Sequence, residues 1–268
     1  MEEYITRSYR GRFDGGRWRF MSVRYKETDL YIGVDRMSYD PDMERFALRE
    51  VVALREKMER YLARDLPYVE SIVPYVPASD APEILHRMAE AAGRAGVGPM
   101  AAVAGAVAEH VGRCILRRFG SREIIVENGG DIYAHIRSGV DVPVFAGKSP
   151  LSGNVGIGIP CAGDYGICTS AGTVGPSLSF GTADAVMTVC GNAALADAYA
   201  TAFANRIRSV ADVGSVIGEM RLSEDILGAV CVKDDMLGIC GRYRLKIWNG
   251  MCGRPRPTGS AVRDCDIL

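Results

Sequence analysis

Residues 123–136 decide the fold of this chain and read Glu123-Ile-Ile-Val-Glu-Asn-Gly-Gly-Asp-Ile-Tyr-Ala-His-Ile136. Two apolar runs rich in strand-forming residues flank Asn128-Gly-Gly-Asp131. The spacing of apolar residues therefore changes here from the helical pattern of the preceding residues to that of strands. Two consecutive glycines permit positive φ and let a ligand approach bare backbone. A turn or bulge without any ligand gives the same pattern, so this motif alone leaves a binding role open.

The remainder of the chain alternates short strand pairs with helices. Alternating polar and apolar residues predict a hairpin over 17–35, and apolar residues near helical spacing predict a helix over 43–63. An extended connection is predicted over 66–82 and a loop rich in Gly, Ser and Thr over 166–181. Further helices are predicted at 80–95, 100–119, 192–207 and near 213–220, and further strands at 142–145, 154–159, 183–189, 229–232, 236–240 and 243–248.

Strand pairs with helices between them indicate the α+β class, with mixed or mostly antiparallel sheets and packed helices. The small residues of 100–119 predict a helix against which another backbone can lie closely. We predict one domain over residues 1–250 and a Gly- and Pro-rich tail, prone to disorder, over 251–268.

Composition excludes several classes of protein. The 268 residues are 48% hydrophobic and 24% charged with a net charge of -1, which excludes a disordered chain and argues against a nucleic-acid binder. The chain opens without the apolar segment of a signal peptide, and no run approaches the ~18 apolar residues of a membrane helix. We therefore expect a cytoplasmic protein that does not enter a membrane. Self-association into a homo-oligomer stays open.

The chain contains eight cysteines, which is the unusual feature of its composition. No two of them are three positions apart, and the three histidines, His86, His110 and His135, stand apart from them, so neither a zinc site nor a disulfide framework is predicted. We expect at least six to be small buried hydrophobic residues. Two exceptions, Cys161 and Cys168, flank a glycine-rich segment. The eight are Cys114, Cys161, Cys168, Cys190, Cys231, Cys240, Cys252 and Cys265.

Two further motifs suit a phosphate-bearing ligand. The stretch Cys168-Thr-Ser-Ala-Gly-Thr-Val-Gly175 offers hydroxyl and backbone donors, although no Gly-Lys-Ser/Thr follows as a P-loop requires. In Ala196-Asp-Ala-Tyr-Ala-Thr201, Asp197 and Thr201 are four apart on a predicted helix and share one face. A carboxylate and a hydroxyl suit Mg²⁺ that is held partly by ligand phosphates.

The order of these motifs resembles the ApbE superfamily. The matching pieces are a small-residue helix, then Glu127-Asn-Gly-Gly-Asp-Ile132, Thr169-Ser-Ala-Gly172 and Ala196-Asp-Ala-Tyr-Ala-Thr-Ala202, across residues 96–205. Members are Mg²⁺-dependent flavin transferases that use FAD to attach FMN to a target protein. The whole chain is most similar to a cytoplasmic branch of that superfamily, without an assigned activity, found in anaerobes such as methanogens and sulfate reducers.

This resemblance implies an ApbE-like fold and a site with Mg²⁺ and FAD or another nucleotide. It implies that Asp197 and Thr201 hold the metal. Around the nucleotide it implies two groups of residues, which are Asn128, Gly129, Gly130 and Asp131 in the first and Thr169, Ser170 and Gly172 in the second.

Two family features are missing. Flavin transferases carry Gly-x-Ile-Ala-Lys-Gly on the small-residue helix, whereas Gly98-Pro-Met-Ala-Ala-Val-Ala-Gly105 contains no lysine. They also carry a His-Ile-x-Asp-Pro-x-Thr-Gly loop, whereas Ser177-Leu-Ser-Phe-Gly181 runs directly into the next strand. The fold and a remodelled pocket can therefore be shared without the reaction.

Three functional hypotheses remain from the sequence. The branch is associated with sulfur assimilation, that is with homocysteine and cysteine formation, so a catalytic Cys161 or Cys168 would carry sulfur as a persulfide and pass it to a partner protein. A thiol beside a donor-lined loop can have a lowered pKa, although Cys168 can equally be a strand residue that packs inward. The second hypothesis is a Mg²⁺-dependent FAD:protein FMN transferase, and the third is a non-catalytic protein that binds a nucleotide, a flavin or a partner.

Overall fold

A computed structural model describes residues 16–172 and 180–248 and the backbone of Arg256–Pro257. The described strands are β1 Trp18–Tyr25, β2 Thr28–Asp35, β3 Ile124–Asn128, β4 Asp131–Ile136, β5 Val140–Pro143, β6 Val155–Ile159, β7 Gly163–Ser170, β8 Ala185–Cys190, β9 Gly228–Lys233, β10 Met236–Gly241, β11 Arg244–Ile247 and β12 Arg256–Pro257. The helices are α1 Met43–Leu62, α2 Leu66–Glu70, α3 Glu83–Ala95, α4 Val103–Phe119, α5 Ala193–Ala204 and α6 Asp212–Met220, and a 3₁₀ turn, Pro99–Ala102, precedes α4.

Two sheets organise the molecule. Nine strands form the larger sheet in the order β1-β2-β3-β4-β7-β8-β9-β10-β12, and three form the smaller one in the order β11-β6-β5. All neighbouring pairs are antiparallel except β10 and β12. The predicted α+β class with mostly antiparallel sheets is therefore confirmed.

The larger sheet separates two apolar cores. On one face, side chains of α1, α3, α4, α5 and α6 pack against it around Met88, Val111 and Phe203. On the other face, the smaller sheet covers it around Ile157 and Val230. Strands β3, β4, β7 and β8 are buried from both sides, which explains their nearly unbroken apolar runs.

Small residues bring α4 and α5 together, as the sequence predicts. A Cβ added at Gly105 would lie 2.2 Å from the carbonyl oxygen of Ala193. At Gly112 it would lie 2.5 Å from the Tyr133 ring, which belongs to β4 beneath the helix. Because neither contact is sterically possible for a larger residue, these glycines set how closely α4 approaches α5 and the sheet.

Three stretches differ from the predictions or lie outside what is described. The predicted connection 66–82 begins with α2, because the Asp65 side chain accepts the N–H of Tyr68 and Pro67 starts the helix. The predicted loop 166–181 starts with five residues of β7, because Gly166–Ser170 pairs with β8 on one side and its first residues with β4 on the other; residues 173–179 of the predicted loop lie outside the described residues. Residues 249–255 and 258–268 lie outside the described residues, so the disordered tail stays a prediction.

Within the described ranges, no helix has both the length and the apolar character needed to cross a membrane.

Candidate functional site

The β3–β4 turn presents a carboxylate at the start of β4. Gly129 and Gly130 have φ of 71° and 108°, values that glycine adopts readily. The Gly130 N–H donates to Glu127 Oε1 at 2.8 Å, and the Asn128 amide donates to the Ala104 carbonyl at 3.1 Å. The turn is therefore fixed against the start of α4, and Asp131 is buried where it begins the next strand.

A second carboxylate approaches from α5. Asp197 lies on the buried face of that helix, and its Oδ2 accepts the Gly105 N–H at 2.9 Å. The Ala104 N–H is a further donor to this carboxyl group. Both N–H groups belong to the first turn of α4, where a helix has unpaired donors that stabilise a negative charge. Burial nevertheless dominates and raises the pKa of Asp197 to about 7.

The two carboxyl groups act on each other. Burial raises the pKa of Asp131 well above its usual range, and the charge of Asp197 raises it further. The Thr169 N–H and the Cys168 side chain form hydrogen bonds with Asp131 and oppose this rise. Two neighbouring buried carboxyl groups do not both ionise readily without a compensating cation.

Cys168 lies beside this pair but is not an accessible thiol. The register of Ile132 opposite Ile167 puts Asp131 next to Cys168, which is completely buried. Burial, together with the charges of Asp131 and Asp197, raises the pKa of its thiol well above the usual range. The expected lowered pKa is therefore wrong for Cys168 in this structure, and its packing is that of an inward-facing strand residue.

Cys161 is exposed and lies outside this cluster, so the prediction that both cysteines border one pocket is also wrong. It precedes β7, while Cys168 lies near the other end of that strand. The five steps from Gly163 to Cys168 already span about 16 Å at the usual rise of a strand. The Tyr165 hydroxyl contacts the Cys161 carbonyl at 3.4 Å, on the side of the smaller sheet.

The other predicted site residues lie on β7, after its end, and on α5. Thr169 reaches it through its backbone N–H, and Ser170 is the half-buried end of β7. The Gly172 N–H donates a hydrogen bond to the Ala183 carbonyl oxygen at 2.8 Å. Thr201 is half-buried one turn beyond Asp197 on α5.

The donor set around the pair fits a hard divalent cation. Asp131 and Asp197 supply carboxylate oxygens, which are the ligands that Mg²⁺ prefers. Burial is the main cause of both raised pKa values, and a bound cation would offset the cost of burying two negative charges. The Thr201 hydroxyl is on the same helix as Asp197. These three residues would hold the metal that the family resemblance implies.

A separate cavity of ≈ 1070 Å³ lies between α1, α3, α4 and the first turn of α5, and it does not include the carboxylate pair. Sequence reasoning missed it because its charged residues come from three helices. Glu109 on its wall accepts the Ala193 N–H at 2.7 Å and so caps α5. Its cationic lining residues are Lys57, Arg60, Arg64, Arg87, Arg94, Arg113 and Arg117.

The expectation that the histidines stand apart from the cysteines is wrong. His110 and Cys114 are one turn apart on α4, and His110 Nε2 lies 3.7 Å from Cys114 Sγ. Glu50 of α1 completes a group whose ligand atoms all lie within 4.8 Å of one another. The spacing His-x-x-x-Cys within a predicted helix is the signal that could have revealed the pair.

Comparison with known proteins agrees with the ApbE-like class. A family model described as "AbpE bacteria" matches residues 10–227. Flavin Transferase ApbE from Vibrio cholerae superposes with a TM-score of 0.52 at 13% identity, over 87% of this chain and 97% of that one. The apo flavinyl transferase ApbE of Pseudomonas stutzeri gives 0.50 at 11% identity, over 81% and 91%. At such low identity these structures show a shared fold.

Two relatives are similar along most of their length. The UPF0280 protein of Methanocaldococcus jannaschii is 36% identical over 231 residues, which cover 84% of this chain and 91% of that protein. The UPF0280 protein of Methanopyrus kandleri is 37% identical over 228 residues, covering 83% and 90%. The chain belongs to the ApbE-like family of this model and, within it, to the UPF0280 proteins found in methanogens.

Proposed function

We propose that this protein binds a flavin nucleotide together with Mg²⁺ at the pair Asp131 and Asp197. The observation that carries the proposal is the burial of these two carboxyl groups beside each other, each with a raised pKa. Burying two ionised carboxyl groups side by side costs free energy when no cation is present. A bound divalent ion would be coordinated by both groups and would offset that cost. When bound, Mg²⁺ would supply positive charge that orients the phosphate oxygens of the nucleotide.

Bare glycine backbone supports a nucleotide next to this pair. Gly129 and Gly130 have no side chain, so a ligand could lie directly against the backbone of the β3–β4 turn. A Cβ added at Gly130 would lie 3.6 Å from the Thr169 carbonyl oxygen. The proteins from Vibrio cholerae and Pseudomonas stutzeri that share this fold are flavin transferases. The absence of the family's lysine and of its histidine-containing loop favours flavin binding without flavin transfer. We expect this binding to take place in the cytoplasm.

Binding of FAD to the full chain tests this proposal. Quenching of flavin fluorescence is titrated in magnesium and in a chelating buffer, with Asp197→Asn and Asp131→Asn as variants. We expect magnesium-dependent binding that weakens by more than about tenfold in either variant. Asp42→Asn is the control, because the Asp42 carboxylate is exposed at the start of α1. Equal FAD affinity with chelator, or in a folded Asp197→Asn protein, would contradict the proposal.

Flavin transfer is tested separately with the same protein preparation. A transferase cleaves the FAD diphosphate, passes FMN to a hydroxyl of an acceptor protein and leaves AMP. We expect FAD binding without AMP release when candidate acceptor proteins are added. AMP release that disappears in Asp197→Asn would instead establish the transferase alternative.

A second candidate function, sulfur carriage, is favoured by the exposed thiol of Cys161. Of the six described cysteines it is the one that is exposed, while Cys114, Cys168, Cys190, Cys231 and Cys240 are buried. The Cys161 thiolate would take the terminal sulfur of a donor persulfide, and the donor would leave as a thiolate. No net oxidation is then needed.

Mass spectrometry after alkylation tests this second candidate. Protein treated with a small-molecule persulfide should carry one extra sulfur at Cys161, and the Cys161→Ser variant should carry none. The buried Cys168 is the internal comparison. If Cys161 alkylates as a plain thiol after every treatment, the candidate is lost.

A further inference from the structure

We propose that Glu50, His110 and Cys114 form a binding site for a borderline-soft divalent metal such as Zn²⁺, at the edge of the cation-lined cavity. The site is separate from the pair Asp131 and Asp197 and does not depend on it. One carboxylate, one imidazole and one thiol have their ligand atoms within 4.8 Å of one another.

The distances fit tetrahedral coordination. With the usual zinc bond lengths, a nitrogen and a sulfur ligand are about 3.6 Å apart across the metal. His110 Nε2 and Cys114 Sγ are 3.7 Å apart in the structure. Two residues four apart on a helix place their side chains on one face, the arrangement by which helical residues chelate a metal. Small rotations of Glu50 would bring its oxygen into the first coordination sphere.

The types of ligand select the metal. A thiolate and an imidazole favour zinc and its neighbours in the transition series, whereas Mg²⁺ requires oxygen ligands. A glutamate and a thiolate bring two negative charges, which balance a divalent ion. Burial raises the pKa of the Cys114 thiol, and the Arg117 guanidinium, which donates to Cys114 Sγ at 3.4 Å, opposes that rise from outside the group.

The cavity gives the metal an entry path and leaves a ligand position open. His110 and Arg117 both line the cavity of ≈ 1070 Å³. Three protein ligands leave the fourth tetrahedral position to a water or to an anion, as in zinc sites that bind substrates. Lys57 and Arg60 of α1 also line this cavity and would add positive charge for an anionic ligand.

Cobalt substitution tests the site in the full chain. Protein purified with a thiol-free reductant is stripped with a chelator and titrated with Co²⁺. We expect one equivalent to give thiolate-to-cobalt charge-transfer absorption and d–d bands of tetrahedral intensity, and Zn²⁺ to displace it. Cys114→Ser should remove the charge-transfer band. Glu50→Gln should keep the band but weaken Co²⁺ binding more than the roughly 10–100-fold typical of outer-shell changes.

Matched controls separate this site from other thiols and histidines. Cys161→Ser removes an exposed thiol, and His86→Gln removes a half-buried imidazole of α3, so both should leave the cobalt spectrum unchanged. Circular dichroism checks that each variant is folded, and Glu50→Gln serves if Cys114→Ser does not fold. Absence of the charge-transfer band in folded wild-type protein, or its persistence in Cys114→Ser, would overturn the proposal.

Discussion

Replacing Gly105 by alanine should loosen the contact between α4 and α5. The added Cβ would lie 2.2 Å from the Ala193 carbonyl oxygen and 3.0 Å from the Cβ of Asp197. An ordinary contact begins near 3.4 Å, so the two helices would have to separate by about 1.2 Å. The backbone of Ala193 cannot rotate away, because its N–H is held by Glu109.

The expected loss is about 2 kcal/mol of the free energy of unfolding. Overpacking of a dense core costs about 1–3 kcal/mol, and the helix-forming gain of alanine over glycine returns at most about 1 kcal/mol. Separation of the helices also lengthens the hydrogen bond from the Gly105 N–H to Asp197, which is 2.9 Å in the structure. For a protein of this size, 2 kcal/mol corresponds to a fall in Tm of roughly 4–8 °C.

Urea denaturation followed by circular dichroism measures this effect. Gly93→Ala is the matched control, since Gly93 lies inside α3 and nothing lies within 4 Å of its added Cβ. That variant should gain up to about 1 kcal/mol, because only helix propensity changes. The reasoning is refuted if Gly105→Ala is as stable as wild type, or if both variants shift the midpoint in the same direction by the same amount.

Three further predictions concern buried polar groups. Burial raises the pKa of Asp197 from 3.8 to about 7, so without metal this group alone should lower the free energy of unfolding by about 4 kcal/mol from pH 4 to 8. In urea titrations Asp197→Asn should remove this part of the slope and leave the part from Asp131, whose pKa is also raised. Glu109→Gln weakens a charged cap on the Ala193 N–H and should cost about 1–2 kcal/mol in chemical denaturation, whereas an unchanged midpoint would contradict the capping role. Tyr68→Phe removes a buried hydrogen bond of 2.8 Å to the Leu85 carbonyl, and calorimetry should show a loss of about 1 kcal/mol.

Local sequence patterns predicted most of the described helices and strands to within a few residues, but not α2 or β7. The helix predicted over 43–63 is α1, Met43–Leu62, because apolar residues at helical spacing need only one buried face. The hairpin predicted over 17–35 is β1 and β2. The prediction of a loop at 166–181 failed at β7, because a glycine-rich strand looks like a loop until two neighbours supply its hydrogen bonds.

The candidate site was predictable in its residue types and only partly in its arrangement. Motif order drew attention to Asp131 and Asp197, which the structure does bring together. The same reasoning grouped Cys161 with Cys168, although an extended strand separates them. It also overlooked Cys114 beside His110, since each motif was compared with cysteine spacings rather than with mixed ligands on one helix face.

The sequence by itself determined the α+β class, the small-residue helix and the order of the oxygen-bearing motifs, because periodicity, turn chemistry and side-chain size act over a few neighbouring residues. Only the tertiary structure decided which charged groups meet. The pair Asp131 and Asp197 forms because β4 and α5 both pack against α4, which meets α5 at Gly105, and Glu50 reaches His110 because α1 lies on α4. Burial in the contacts around Asp131 and Asp197, not the local sequence, raises the pKa values of these two carboxyl groups.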